Sequence, residues 1–190
     1  MVNDGAGTAR VVLRRVGVGD EEEFVRLARV SAGSHHPWMS LPVTGEDFRF
    51  YLGRFADPLA AEGLLVCVRE TGVIAGHISI NSIIRGRFQN GSLAYAAFAP
   101  SAGRGYMSEG LGLVLRYAFE ELRLHRLEAQ IQPGNHDSIR LVRRHGFRYE
   151  GLAPELLFID GAWRDHERWA ITSGMVEGVA GEPHPTLPVR

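Results

Sequence analysis

Residues 92–108 read SLAYAAFAPSAGRGYMS, and this stretch decides the fold. Its first half reads as a strand, Pro100 blocks the strand's continuation, and Gly103 and Gly105 precede a helix predicted over 106–122. Glycines let backbone N–H groups converge, and the amino end of a helix carries about half a positive charge, which suits a pyrophosphate. An ordinary strand-to-helix turn remains the alternative, because the stretch lacks the lysine and the third glycine of known nucleotide-binding loops.

A second informative segment lies one predicted strand downstream of the glycine turn. Asn135 opens a short helix predicted over 136–145, and Ser138 follows three residues later. The spacing puts Asn135, Ser138 and Val142 on one side of that helix. Ser138 could donate a hydrogen bond to a substrate, or it could simply bond to a nearby backbone carbonyl.

Around these segments the periodicity predicts a mixed α/β fold over residues 9–174. Helices are predicted at 20–30, where Gly33 stops the first one, and at 44–55, 106–122 and 136–145. Strands are predicted at 11–16, 64–69, 73–84, 88–98, 126–132, 149–159 and 163–172. This order predicts antiparallel strands first and a parallel crossover in the middle. Residues 1–8 and 178–190 are expected to be flexible tails.

Composition narrows the classes of function. The chain of 190 residues carries 21 basic residues, all of them Arg, and 22 acidic ones, which argues against a nucleic-acid partner. A single cysteine excludes a Cys-rich zinc site, and His35 and His36 lack a third ligand at suitable spacing, so we expect no metal. Without a long apolar run or a signal-peptide pattern, we expect a cytoplasmic protein with no membrane partner.

Together these segments resemble the GNAT superfamily of N-acetyltransferases. More narrowly, they are similar to the branch of ribosomal-protein-alanine N-terminal acetyltransferases, the RimJ/RimL-like enzymes. The resemblance covers residues 11–172 and rests on the glycine turn, on the segment from Asn135 to Phe147, and on the segment from Ile159 to His166. It implies a single-domain fold, with a mostly antiparallel central sheet and about four helices on both of its faces.

The resemblance implies acetyl-CoA as the co-substrate. The pyrophosphate would lie on backbone amides of the glycine turn, and the pantetheine arm would pair with the preceding strand and with Asn135. The residues implied to contact CoA are Ala96, Ala97, Phe98, Gly103, Arg104, Gly105, Tyr106, Met107, Ser108, Asn135 and Ser138. Pro100 departs from the family pattern, which prefers Gln or Arg three residues before the first glycine.

Ser138 and Glu155 are the predicted catalytic residues. Many members of the superfamily protonate the leaving thiolate with a Tyr at the position of Val142, whereas the branch uses a Ser at the position of Ser138. The Glu that the branch uses as a base matches Leu157, and Glu155 is expected on the same strand face. A solvated charge is the alternative for Glu155. A water chain could replace the base, because a terminal amine with a pKa of about 8 is partly neutral near pH 7.

The predicted reaction is acetyl transfer to an amine, with a peptide or protein N terminus, such as that of a ribosomal protein, as the favoured acceptor. The alternatives are a small amine such as an antibiotic or a polyamine, a succinyl donor, and a catalytically weak CoA-binding sensor. The loop at His36-Pro37-Trp38 is expected to line the acceptor groove. Tyr95 is assigned either to the core or to a cofactor contact. A homodimer is expected, because related acetyltransferases often pair through their C-terminal strands.

Overall fold

The computed structural model describes residues 9–176, and their seven strands form one sheet in the order β1-β2-β3-β4-β5-β7-β6. The strands are Val11–Arg15 (β1), Glu62–Val68 (β2), Ile74–Ile84 (β3), Asn90–Ala97 (β4), Arg126–Ile131 (β5), Arg148–Ile159 (β6) and Ala162–Thr172 (β7). Neighbouring strands run antiparallel except β4 and β5, which are parallel. The mixed, mostly antiparallel sheet is therefore confirmed. The predicted tails, 1–8 and 178–190, lie outside the described residues.

Four α-helices connect the strands in the predicted order. They are Glu21–His35 (α1), Gly45–Gly53 (α2), Tyr106–Arg116 (α3) and His136–Arg144 (α4). The prediction that Gly33 ends α1 is wrong. A glycine inside a helix costs only about 1 kcal/mol relative to alanine, and Ser31 and His35, which flank Gly33, are buried. The third helix, predicted over 106–122, is α-helical only as far as Arg116, and Tyr117–Glu121 continues it as one π-helical turn.

Two helices cover each face of the sheet, which confirms that prediction. α3 and α4 pack on one face, which we call the α3 face, where Leu111, Val114, Ile139 and Val142 are buried against side chains such as Leu127 and Ala129. α1 and α2 pack on the other, the α1 face, where Phe24, Leu27, Ala28 and Phe48 are buried against Leu65, Cys67, Ile74 and Phe98. The spacing of Phe24, Leu27 and Ala28 is that of one helix face, as the sequence predicts.

The parallel pair β4 and β5 separates part-way along its length. The two strands are paired from Asn90 opposite Arg126 to Leu93 opposite Ala129. Beyond that point β4 stays paired with β3 as far as Ala97 opposite Gly76. The edge of β4 that faces β5 is therefore open from residue 94 to residue 97, and this gap lies beside the start of α4.

The outermost strand, β6, pairs only with β7, and its pairing is interrupted twice by bulges. Most of its residues are half-buried or exposed, as suits an edge strand. Among the described residues, no helix combines the length and the apolar character needed to cross a membrane.

Candidate active site

The glycine turn borders a pocket of about 290 Å³ between the amino end of α3 and the start of α4. Gly103 and Gly105 have φ angles of +73° and +81°, in the left-handed region that disfavours side chains with a Cβ. The pocket is lined by Ala97, Ser101, Ala102, Gly103, Gly105, Tyr106, Met107, Ser108, Asp137, Arg140, Leu141 and Arg144. Arg140 pairs with Asp137, so backbone amides at a helix start and Arg144 give the pocket the character of an anion site.

Ser108 occupies the first turn of α3, but its backbone amide is already bonded. The Ser108 N–H donates to the Gly105 carbonyl over 3.0 Å, and the Glu109 N–H donates to the same oxygen over 3.1 Å. The group that Ser108 offers to the pocket is therefore its hydroxyl, not the amide that the family resemblance implies. Its hydroxyl oxygen lies 3.0 Å from Nε2 of His145, the residue that ends α4.

Arg10 holds the glycine turn from outside the pocket. Its Nη2 donates to the Arg104 carbonyl over 3.0 Å, its guanidinium lies 5.1 Å from the centre of the Tyr106 ring, and its Nε donates to Glu109 over 2.6 Å. The hydrogen bond with Glu109 raises the pKa of Arg10. Because this contact spans 99 residues of sequence, nothing in the local pattern indicated it, and sequence reasoning missed Arg10.

The open edge of β4 presents only some of the predicted backbone contacts. The Phe98 N–H donates to the Ala75 carbonyl over 2.9 Å, towards β3. Since successive residues of a strand direct their backbone groups to opposite edges, Ala96 also faces β3, whereas Tyr95 and Ala97 face the gap. The Ala97 carbonyl already accepts a hydrogen bond from His35 Nε2 over 2.8 Å.

Phe98 is placed differently from Ala97. Its side chain is fully buried on the α1 face, where its ring meets the ring of Phe24 edge-on at 5.4 Å. Phe98 thus supports the end of β4 and does not line the pocket, whereas Ala97 does.

Two hydroxyl groups meet beside the gap. The phenolic oxygen of Tyr95 lies 2.6 Å from Ser138 Oγ, and Asn135 Oδ1 accepts the Ser138 N–H over 3.2 Å, which caps α4. Burial raises the pKa of Tyr95 to about 12, so the phenol stays protonated at neutral pH. Val142 is fully buried in the core, so the side chain at that position faces away from solvent. The sequence could not decide whether Tyr95 belongs to the core or to a cofactor contact, because its partner lies 43 residues away in sequence.

Glu155 lies in an irregular part of β6. Ala153 opposes His166 and Leu157 opposes Arg164, so four steps along β6 match two steps along β7. Glu155 has a φ of +49°, its side chain is exposed, and its backbone N–H donates to Asp165 Oδ1 over 2.9 Å. Regular alternation fails across this bulge, so the strand argument that placed Glu155 on the face of Leu157 does not hold.

The loop after α1 lies against the end of β5 and the β6–β7 turn. His36 Nε2 is 3.0 Å from Asp160 Oδ2, in that turn. Gln132 Nε2 donates to the carbonyls of Pro37 and Trp38, each over 3.4 Å. On either side of the turn, Phe158 and Trp163 are 62% and 61% exposed and pack edge-on with ring centres 5.7 Å apart.

Three carboxylates on or beside this part of the sheet have an arginine or a histidine as partner. Glu128 on β5 contacts Arg126 at 2.9 Å and Arg168 at 3.5 Å. Arg126 also pairs with Glu150 on β6. Asp160 is the partner of His36 noted above. Among residues 9–176, no three His, Cys, Asp or Glu side chains gather where they could hold a metal ion.

Comparison with known protein families decides the classification. A family model described as an acetyltransferase (GNAT) domain matches residues 10–148, which include the glycine turn, both hydroxyls and α4. The chain belongs to the GNAT family. The family resemblance read from the sequence is thus confirmed, as is the GNAT-like fold.

Two curated relatives share part of this GNAT chain. A Bacillus subtilis protein named "Probable N-acetyltransferase YjcK" is 41% identical over 98 residues, which are 52% of this chain and 54% of that protein. The [Ribosomal protein uS5]-alanine N-acetyltransferase of Escherichia coli is 36% identical over 124 residues, 65% of this chain and 58% of that protein. The chain therefore spans a little over half the length of these relatives.

Solved structures share the GNAT fold over most of both chains. RimJ from Mycobacterium smegmatis, in complex with CoA-disulfide, superposes with a TM-score of 0.82 at 25% identity, covering 89% of this chain and 85% of that one. Spermidine N-acetyltransferase from Vibrio cholerae, in complex with CoA and spermine, has a TM-score of 0.72 at 19% identity, covering 88% and 98%. The same fold thus occurs in RimJ and in a spermidine N-acetyltransferase.

Proposed function

We propose that this GNAT chain transfers an acetyl group from acetyl-CoA to the α-amine of a polypeptide. The observation that carries the proposal is the Tyr95–Ser138 hydroxyl pair, with oxygens 2.6 Å apart, at the gap between β4 and β5. The anion pocket adjoins this pair, because its lining includes Ala97 and Asp137. The glycine turn would hold the pyrophosphate of CoA and Ala97 would pair with its pantetheine, which would leave the thioester beside the two hydroxyls.

The reaction then requires that the amine and the thioester are positioned and that hydrogen bonds stabilise the leaving sulfur. It does not require a side chain that gives up its own proton. The neutral amine attacks the thioester carbonyl carbon, a C–N bond forms, and the C–S bond breaks. The nitrogen loses one proton and the sulfur gains one, so protons balance. Ser138 donates a hydrogen bond to the leaving sulfur, and Tyr95 donates one to Ser138 Oγ. A phenol with a pKa of about 12 does not ionise to protonate a thiolate of pKa about 8.5, so Tyr95 acts as a hydrogen-bond donor.

The charges beside the acceptor loop favour a polypeptide over a polyamine. A polyamine carries several positive charges and needs carboxylates that lack other partners. Glu128, Glu150 and Asp160 are each paired with an arginine or a histidine, whereas among the described residues nearby Glu155 and Asp165, at the β6 bulge, have no ion pair. The exposed aromatic pair Phe158 and Trp163, beside the same turn, instead offers an apolar surface to a peptide side chain.

The pKa values of the possible acceptor amines also favour an α-amine. An α-amine has a pKa of about 7.7–8.0, whereas a lysine amine has one of about 10.4, so the neutral fraction near pH 7 differs by more than about 100-fold. Glu155, exposed in its bulge, is retained as a candidate base only through a bridging water. We also propose a ribosomal protein as the source of the acceptor, on the name of the Escherichia coli relative alone.

A steady-state assay with acetyl-CoA tests the proposal. The acceptors are a lysine-free peptide with a free N terminus, its N-blocked twin carrying one lysine, and spermidine. We expect kcat/KM for the free N terminus to exceed the other two by at least about 10-fold, in line with the neutral amine fractions. A preference for spermidine would favour the small-amine alternative, and CoA binding without turnover would favour the sensor.

We further propose a homodimer formed through β6. This strand is one of the two edges of the sheet, and outside the acceptor surface it exposes Tyr149 and Leu152. Unpaired edges with apolar side chains are natural sites for pairing with another chain. Light scattering at assay concentration is expected to give twice the 21.0 kDa mass of one chain, and a particle of 21.0 kDa would contradict it.

A further inference from the structure

We propose that His145 is a positioning residue for CoA: its Nε2–H donates to Ser108 Oγ, which leaves the Ser108 hydroxyl hydrogen free for a pyrophosphate oxygen. The inference rests on the proposed function and deepens it. Ser108 lines the anion pocket, and His145 Nε2 lies 3.0 Å from its hydroxyl oxygen. His145 therefore acts on the cofactor through Ser108.

The hydroxyl is the group through which Ser108 can reach a phosphate. Its backbone N–H is bonded to the Gly105 carbonyl over 3.0 Å. A phosphate oxygen only accepts hydrogen bonds, whereas a serine hydroxyl has one hydrogen to donate. If that hydrogen pointed at His145, Ser108 would present only lone pairs to an anion, and the contact would be repulsive.

His145 solves this problem when its ring is neutral and its one hydrogen is on Nε2. Burial lowers the pKa of His145 and the neighbouring Arg144 lowers it further, whereas a hydrogen bond with the Ser108 backbone raises it. The net shift is downward, so the ring is mainly neutral at pH 7 and carries one N–H. With the hydrogen on Nε2, the ring donates to Ser108 Oγ. The ring also packs against α3, since a Cβ placed on Gly112 would lie only 3.6 Å from its Cε1.

The hydrogen bond between His145 and Ser108 also joins α3 and α4, the two helices that form the pocket. Ser108 is in the first turn of α3, and His145 ends α4, whose residues Asp137, Arg140 and Arg144 line the other wall. Fixing the hydroxyl before CoA arrives reduces the cost of ordering it on binding. We therefore expect His145 to affect binding of the pyrophosphate and to have little effect on the acetyl-transfer step.

The test measures CoA affinity by calorimetry for the wild type and for His145→Leu, His145→Gln and Ser108→Ala. We expect His145→Leu to weaken CoA binding by about 3- to 10-fold, the range for loss of one hydrogen bond between neutral groups. His145→Gln should restore most of the affinity, because its amide N–H can donate to Ser108 Oγ. The double variant S108A/H145L should lose no more CoA affinity than S108A alone, because His145 acts through Ser108. His125→Leu, at an exposed histidine on the loop before β5, is the matched control with unchanged affinity.

A second measurement separates positioning from damage to the fold. S-acetylpantetheine lacks the pyrophosphate, so its kcat/KM should be the same for the wild type and His145→Leu. A loss with this short donor as large as the loss with acetyl-CoA would overturn the inference, as would equal CoA affinity in the wild type and His145→Leu. Failure of the wild type itself to bind CoA would instead contradict the proposed function.

Discussion

Tyr95 on β4 and Ser138 on α4 bring their hydroxyl oxygens to 2.6 Å across the mouth of the gap where β4 and β5 separate. The contact joins the strand expected to hold pantetheine to the helix expected to present a donor to sulfur. Asn135 fixes the second partner by accepting the Ser138 N–H, so the helix cap and the hydroxyl pair form one unit.

Ser138→Ala should lower kcat by about 10- to 1000-fold, because the leaving sulfur loses its hydrogen-bond donor. CoA affinity should change little, since the pyrophosphate pocket is intact. Tyr95→Phe should lower kcat by about 10-fold, because the phenyl ring keeps the packing but loses the hydroxyl. Stopped-flow rates in the chemical step, with CoA affinity measured alongside, check both variants. An unchanged rate in Ser138→Ala would remove Ser138 from the mechanism.

Gly105→Val should weaken CoA binding by at least about 10-fold. Residue 105 has a φ of +81°, and a Cβ there would lie 3.2 Å from Arg10 Nη2. Valine would therefore strain the turn and shift the Arg10 guanidinium that bonds to it. Gly72→Val is the control, because Gly72 has a φ of +74° in the β2–β3 turn, with no atom within 4 Å of an added Cβ. Both variants carry similar backbone strain. Calorimetry showing equal CoA affinity in the two would place the pyrophosphate elsewhere.

Trp163→Ala should raise KM for a peptide acceptor and leave KM for acetyl-CoA unchanged. The ring is 61% exposed beside the turn that contacts the acceptor loop, so its loss removes acceptor contact without opening the core. We expect a rise of about 5- to 50-fold, in the range for one aromatic contact residue. Phe50→Ala, at an 84% exposed ring on α2, is the matched control. Equal peptide KM in both variants would show that the aromatic pair faces something other than the acceptor.

His77 makes the free energy of unfolding depend on pH. Its side chain is 1% exposed, its Nε2 has no hydrogen-bond partner among the described residues, and burial lowers its pKa to about 3. An unfolded histidine has a pKa of about 6.5, so the unfolded state binds more protons between these values. The contribution of His77 is complete above pH 6.5 and is lost as the pH falls towards 3, by up to about 1.4 kcal/mol per pH unit. His77→Phe should flatten this dependence in urea titrations at pH 4 to 7; an unchanged slope would contradict it.

Most of the fold could be predicted from the sequence, because hydrophobic periodicity and turn residues indicated the same elements. The strand periodicity and the glycine turn after β4 each predicted the structure that forms. The first helix was predicted too short because its continuation past Gly33 depends on tertiary burial of His35, which no local pattern records. The position of Glu155 was predicted from the alternation of side chains along a regular strand, which does not continue across the bulge in β6.

Only part of the candidate site could be predicted from the sequence, again because some of its contacts are tertiary. Gly103, Gly105, Asn135 and Ser138 lie in segments with local signatures of turns and caps. Tyr95 and Arg10 gain their roles from partners 43 and 99 residues away, and the sheet alone brings those pairs together. Contacts of that kind have no sequence signal in a single chain.

The most direct test gives the enzyme acetyl-CoA and one peptide that carries both a free α-amine and a lysine, in competition with spermidine. This chain contains no lysine, so self-acetylation on a side-chain amine cannot confuse the product spectrum. Fragment mass spectra are expected to place the acetyl group on the peptide α-amine, at a rate that falls with Ser138→Ala. Acetylation of spermidine or of the lysine in preference to the α-amine would contradict the proposed reaction.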